Sequence, residues 1–214
     1  MDFAVLERLA GRTAAAPALP GLVIRELEEI ASGARPLSAV VHPLGFYCLP
    51  VLREGELGVC VHVFEPGGPP ESLVHCHSWE LTSSVLYGRI GNTRIRVSDT
   101  LERPTHRLFV VESDRSGVDR VRPTSRLVHS EVESRHTSAR GDTYTLAAGT
   151  FHTTVVPEGV PAATLVLARS LPDGRDLMLG PVHAPAWRTV RRTCDPDRTT
   201  RLARTCARRI RERG

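Results

Sequence analysis

Residues Leu57–Phe64 read LGVCVHVF, and they alternate. Leu57, Val59, Val61 and Val63 take one side; Gly58, Cys60, His62 and Phe64 take the other. Successive side chains of an extended chain point to opposite faces, so a period of two marks a half-buried strand. Similar runs recur downstream as HRLFVVESD, SRLVHSEVESRH, DTYTLAAG, FHTTVVPEG and ATLVLARS. Turn residues separate them, and no helical period intervenes. This order excludes alternating strand–helix units and predicts an antiparallel sandwich or barrel. Within it, SVLYGRIGNTRIRVSD reads as a hairpin that turns at Gly91-Asn92.

Helical signals are confined to the ends. Asp2 is placed to cap a helix over 3–10, with Phe3, Leu6 and Leu9 on one side and Gly11 as its stop. TAAAPALPG reads as a linker. Pro20 can open a second helix whose face is Val23, Leu27, Ile30 and Ala31, ending at Gly33. Beyond Leu171 the pattern turns irregular through PDGRDLMLGPVHAPAW. Asp195-Pro196 then resembles a cap followed by a first-turn proline, and Leu202, Cys206 and Ile210 recur every four residues. The expected organisation is an N-terminal helical extension over 1–36, a barrel over 37–172, and an irregular segment with a basic C-terminal helix over 173–214.

Composition excludes several chemistries. All 28 basic residues are arginine. Without lysine there is no Schiff base and no P-loop. Residues 188–214 carry ten arginines against Asp195, Asp197 and Glu212, so within a net charge of +4 the rest of the chain is mildly acidic. An amphipathic helix packed on the barrel is preferred here to a nucleic-acid arm, because acids and threonines interrupt the charge and Trp187, at the segment's start, is the one aromatic beside it. No apolar run is long enough to span a bilayer, and MDFAVLERLAG lacks a basic leader region, so a cytoplasmic location is expected. The five cysteines are scattered with no CxxC, which argues against a disulfide framework and a structural zinc site.

The chemistry concentrates in LVHCHSWELTSSVLYG, residues 73–88. On a strand, His75 and His77 share a face and offer two converging ligands. His152, after a turn in GDTYTLAAGTFH, is the candidate third. An HxH pair alone is as often structural as ligating.

Taken together, HCHSWELTSSVLYG and GDTYTLAAGTFH resemble the two motifs of the cupin superfamily. Gly141, Gly149 and His152 keep the second motif's spacing, with Ala147 in place of its proline. The first motif's glutamate position is occupied by Leu81, and Glu80 lies one residue earlier, where a strand would turn it to the other face. The resemblance implies an all-β, single jelly-roll barrel around a metal held by His75, His77 and His152, similar to the three-histidine centre of the cysteine dioxygenase type. It implies Fe(II), with Zn, Ni, Mn or Cu as alternatives.

The function this implies is an oxygenase or dioxygenase that brings O₂ to a small amino-acid-like or carboxylate substrate. Isomerase, lyase or hydrolytic chemistry on the same metal, or a non-catalytic binding barrel, are the alternatives. Tyr144 and Glu80 are candidate catalytic supports, and Trp79, Arg94 and Arg96 candidate substrate contacts; Ser83, Thr154, Arg107 and Arg126 lie on neighbouring strands. His62 reads as a satisfied buried histidine, and His129 and His136 as part of a solvated face with Glu131 and Glu133. His42 carries no signal. Cys48, Cys60 and Cys76 read as small core residues. The apolar segment PLSAVVHPLGFYCLPVL is suited to extending or swapping a sheet, so a homodimer is expected.

Overall fold

The computed structural model describes residues 2–10, 18–66, 73–114, 116–171 and 174–212. The expected stop at Gly11 and the linker residues 13–17 lie outside the described residues. Two helices, α1 (Phe3–Ala10) and α2 (Ala18–Ser32), precede the strands β1 (Val40–Val41), β2 (Tyr47–Glu54), β3 (Leu57–Phe64), β4 (His75–Cys76), β5 (Trp79–Tyr87), β6 (Arg89–Asp99) and β7 (His106–Ser113). There follow β8 (Val118–Ala139), β9 (Thr143–Leu146), β10 (His152–Val155), β11 (Ala162–Ser170), β12 (Asp176–Gly180), β13 (Trp187–Val190) and β14 (Arg192–Thr193), and then α3 (Pro196–Glu212).

The helix ends follow the capping chemistry. Asp2 Oδ1 accepts the Val5 N–H at 3.2 Å, and Asp195 Oδ1 accepts the Arg198 N–H at 2.6 Å. Each carboxylate satisfies a first-turn donor that has no partner within its helix. The second helix starts two residues before Pro20, which leaves the proline in the first turn, where its missing N–H costs nothing.

The strands form two seven-stranded antiparallel sheets. The first runs β14-β1-β2-β3-β11-β5-β9 and the second β13-β8-β6-β10-β4-β12-β7. The 22-residue β8 also pairs with β7, using its N-terminal half, while its C-terminal half pairs with β6. The apolar segment over 36–52 supplies β1 and β2, which lie between β14 and β3.

The alternation of β3 determines the layering. Val59, Val61 and Val63 are buried in one cluster with Leu6, Val23, Leu27, Leu202, Cys206 and Ile210 of the three helices. Each fully buried aliphatic side chain there contributes roughly 1.5–3 kcal/mol. The opposite face of β3, with Cys60, His62 and Phe64, lines an interior cavity of about 1320 Å³. Residues of both sheets line it, so it lies between them. The predicted stripe Leu202/Cys206/Ile210 is buried, and α3 packs on α2. Arg211 pairs with Glu28, and Arg198 pairs with Glu65 and lies over the Tyr47 ring at 4.9 Å. The basic helix is thus held on the body by its apolar face and several of its arginines.

Two expectations are corrected. SVLYGRIGNTRIRVSD is not a hairpin. Gly91 and Asn92 lie inside β6, opposite Val155 and Thr154 of β10. The chain turns at Gly88 (φ +79°) and passes from the first sheet to the second. Gly-Asn is a turn signal only where the chain has no better partner, and here β8 and β10 flank the segment. The irregular reading of the segment beyond Leu171 is corrected as well. The segment read as irregular supplies β12, β13 and β14, which complete both sheets. These strands have two to five residues, too short to show a period.

Candidate metal centre

His75 lies on β4 and His77 just past it, two positions apart and on one side of an extended chain. β10 begins at His152, which sits directly opposite His75 in the β4–β10 pair. The three rings converge, with centroids 4.8 Å (His75–His77), 4.5 Å (His75–His152) and 5.4 Å (His77–His152) apart. One ligand atom from each lies within 4.8 Å of the others. Two imidazole nitrogens bound to one ion are at most about 4.2 Å apart, given metal–nitrogen bonds near 2.1 Å, so a small inward adjustment closes the set.

Backbone carbonyls orient two of the rings. His75 Nδ1 bonds the Leu73 carbonyl at 2.7 Å, and His152 Nδ1 bonds the Thr150 carbonyl at 3.0 Å. A carbonyl only accepts, so each Nδ1 carries the proton and each Nε2 keeps its lone pair for a metal. The His77 ring stacks on Trp79, with centroids 4.1 Å apart and planes 28° apart. All three imidazoles are held neutral. Burial lowers the pKa of His75; burial and then the neighbouring His75 and His152 rings lower that of His77 well below the ordinary value; burial brings His152 to about 4. Neutral rings with fixed tautomers are what an imidazole-ligated ion requires, so the donor set fits a divalent metal.

Those shifts make the metal-free protein acid-sensitive. A histidine whose pKa is depressed on folding destabilises the fold as pH drops below the unfolded value, because the unfolded chain then binds the proton more readily. For His152 the loss runs between pH about 6.5 and 4 and amounts to roughly 3 kcal/mol. Urea unfolding of metal-free wild type and His152→Leu at pH 7 and pH 4.5 checks this. The gap between the proteins should shift towards the variant in acid; a pH-independent gap would show that the ring protonates freely in the fold.

The other predicted residues divide by face. Trp79, Tyr144 and Thr154 line the cavity. Glu80 is exposed, with Arg169 as its cross-strand neighbour on β11, while Trp79 and Leu81 on either side face the cavity. The strand alternation turns Glu80 outward, and it is not among the residues that line the cavity. Arg94 and Arg96 are also exposed, and Arg96 bonds Glu131 and Glu133, each at 3.2 Å. Ile90 and Asn92 point inward, and a strict period of two would carry Arg94 and Arg96 with them. Arg94 keeps the phase of Asn92, directly opposite His152 in the β6–β10 pair, yet its side chain is exposed; beyond it the less exposed positions of β6 are the odd-numbered ones, and the β6–β8 register shifts with Glu133 as the extra residue on β8. The arginines that do line the cavity are Arg53 and Arg191, the latter bonded to Asp119 through Nε at 2.8 Å.

Sequence reasoning missed three groups of residues. Asn92, read as a turn, is 5% exposed and lines the cavity. Its Oδ1 accepts from Thr154 Oγ1 at 3.3 Å, while its buried Nδ2 has no partner among the described residues. A buried donor left unpaired is costly, so the Asn92 Nδ2 is a donor on the cavity wall whose partner is not among the described residues. Asp176, on β12, lines the cavity, accepts the Ser78 N–H at 2.7 Å and acts electrostatically on His75. Cys48, Cys60, His62 and His42, read as core or without signal, all line the cavity. Cys76, between the two ligands, is buried, which raises its thiol to about 11.

No family model matches the chain, and no curated protein is similar enough to count as a relative. Solved structures do match. The polyketide cyclase RemF from Streptomyces resistomycificus is 16% identical, with 65% of this chain and 78% of that chain covered, at a TM-score of 0.39. A cupin-like protein from Thermotoga maritima is 12% identical, with 64% and 77% covered and a TM-score of 0.38. Hydroquinone 1,2-dioxygenase PnpCD, solved with Cd²⁺ and 4-hydroxybenzonitrile, is 15% identical, with 68% and 72% covered and a TM-score of 0.37. Likeness of this degree transfers no substrate, metal or reaction to this chain. No described helix is long and apolar enough to cross a membrane.

Proposed function

We propose that this chain is a cupin-type metal-dependent enzyme, an Fe(II) oxygenase acting on a small substrate with a carboxylate or amino-acid-like head. One observation carries the reading: three neutral imidazoles, with one ring nitrogen of each within 4.8 Å of the others, on the wall of a cavity large enough for a substrate. His75, His77 and His152 would hold the ion. A divalent ion bound there supplies Lewis acidity and, if iron, a redox partner for O₂. Trp79 keeps the His77 ring in place. The Asn92 Nδ2–H and the Tyr144 hydroxyl are available to orient a polar group of the substrate, and Arg53 on the cavity wall to pair with its carboxylate. Leu81, Phe64 and Val166 cover the interior with apolar surface, which strengthens every polar contact made inside.

The test is anaerobic loading with Fe(II), followed by nitric oxide as a spectroscopic probe of open coordination positions. One iron per chain, with the high-spin nitrosyl signal and O₂ uptake on adding small amino or carboxylic acids, is expected. Tight binding of one zinc per chain, with no iron retained and no O₂ uptake, would overturn the oxygenase reading and leave a redox-inert metal site.

A further inference from the structure

The two donor positions of β3 that face the cavity are Cys60 and His62. They are two residues apart and so lie on one side of the strand. In the β2–β3 pair, Cys48 sits directly opposite His62. This is the construction of the three-histidine centre repeated on the other sheet: two donors at i and i+2 on one strand, and a third on its antiparallel neighbour opposite one of them. One ligand atom from each of Cys48, Cys60 and His62 lies within 4.8 Å of the others, a bound that the histidine set also meets. All three are half-buried and line the cavity. The His62 ring is held by Phe46 at 4.4 Å, and Phe46 stacks in turn on His42 at 4.4 Å with planes 7° apart.

We propose that Cys48, Cys60 and His62 form a second metal site, on the opposite wall of the cavity from the three-histidine centre, selective for a thiophilic ion such as Zn²⁺ or Cu⁺. Two thiolates and one imidazole are a soft donor set, in contrast to three imidazoles, so the two sites differ in preference. Binding displaces both thiol protons to solvent, and two thiolates neutralise a divalent ion without further charged ligands. Three protein ligands leave a position open towards the cavity. The site stands on its own donors and does not depend on which metal the histidines hold.

Co²⁺ loading of reduced protein, under anaerobic conditions, reads the two sites separately, because only thiolate ligation gives intense sulfur-to-cobalt charge-transfer absorption. Wild type should take up two ions per chain and show that absorption. The His75→Ala/His152→Ala double variant should fall to one ion and keep the absorption; Cys48→Ser/Cys60→Ser should fall to one ion and lose it. If the serine variant does not fold, thiol labelling replaces it: Zn²⁺ should protect Cys48 and Cys60 in the histidine double variant, and adding His62→Gln should remove the protection. Charge-transfer absorption absent from wild type, or lost with the histidine substitutions, would overturn the proposal. So would a Cys48–Cys60 disulfide whose reduced form binds no second ion.

Discussion

His75→Ala and His152→Ala should each purify with almost no metal at the three-histidine centre, while Glu80→Ala should keep the wild-type content. A zinc site with a full ligand set binds with roughly 10–16 kcal/mol, or about 3–4 kcal/mol per ligand. Losing one ligand of three therefore weakens binding by roughly 10²–10³-fold at 1.4 kcal/mol per decade. Trp79→Ala removes the stacking surface under His77 and leaves the ligands in place, so a loss of about 10–100-fold is expected. Glu80 is exposed on the outer face of β5 and touches none of this. The measurement is metal content of all four variants, loaded with substoichiometric Fe(II) in the Cys48→Ser/Cys60→Ser background to isolate this centre. Equal loss in Glu80→Ala and the histidine variants would mean that the turn after His77 brings the carboxylate inward in solution.

Gly88→Ala should strongly destabilise the protein. Two costs combine. The backbone at Gly88 has φ +79°, a conformation that L side chains adopt at about 1–2 kcal/mol. An added Cβ would also lie 2.5 Å from the Pro161 carbonyl oxygen and 2.7 Å from the Ala162 Cα, both backbone atoms that cannot swing aside. Overpacking of this kind costs typically 1–3 kcal/mol, so a total of roughly 2–5 kcal/mol is expected. Gly141 is the control: its φ is +86°, but nothing lies within 4 Å of an added Cβ. Gly141→Ala should cost only the conformational part, about 1–2 kcal/mol. Urea midpoints of the two variants, with unchanged slopes, separate strain from clash. Equal midpoints would show that the β11 backbone gives way at Pro161–Ala162, and that the crossing between sheets is looser than the contact implies.

What the sequence determined by itself was local. The caps at Asp2 and Asp195 act within one helical turn, and the helical stripe of α3 is a property of its own period. The valine face and the cavity face of β3 follow from alternation alone. So does the convergence of His75 with His77, since two residues along a strand is one full period. The outward turn of Glu80 was legible for the same reason, one residue from the expected phase.

Tertiary structure decided what depends on pairing between distant segments. Register brought His152 opposite His75 and Cys48 opposite His62, and no local signal encodes which residue of one strand faces which residue of another. The two flanking strands, β8 and β10, overrode the Gly91-Asn92 turn signal and turned Asn92 into the cavity. Burial along β6 passes from even to odd positions after Asn92, which leaves Arg94 and Arg96 exposed although alternation from Asn92 points them inward. β12 to β14 are too short to carry a pattern, and exist because neighbouring strands offer them unpaired backbone: β12 fills the place between β4 and β7, and β13 and β14 close one edge of each sheet. Side-chain direction is set within a strand by chain geometry; which side chains meet across the cavity is set by long-range pairing, whose free energy comes from burial shared by the whole fold.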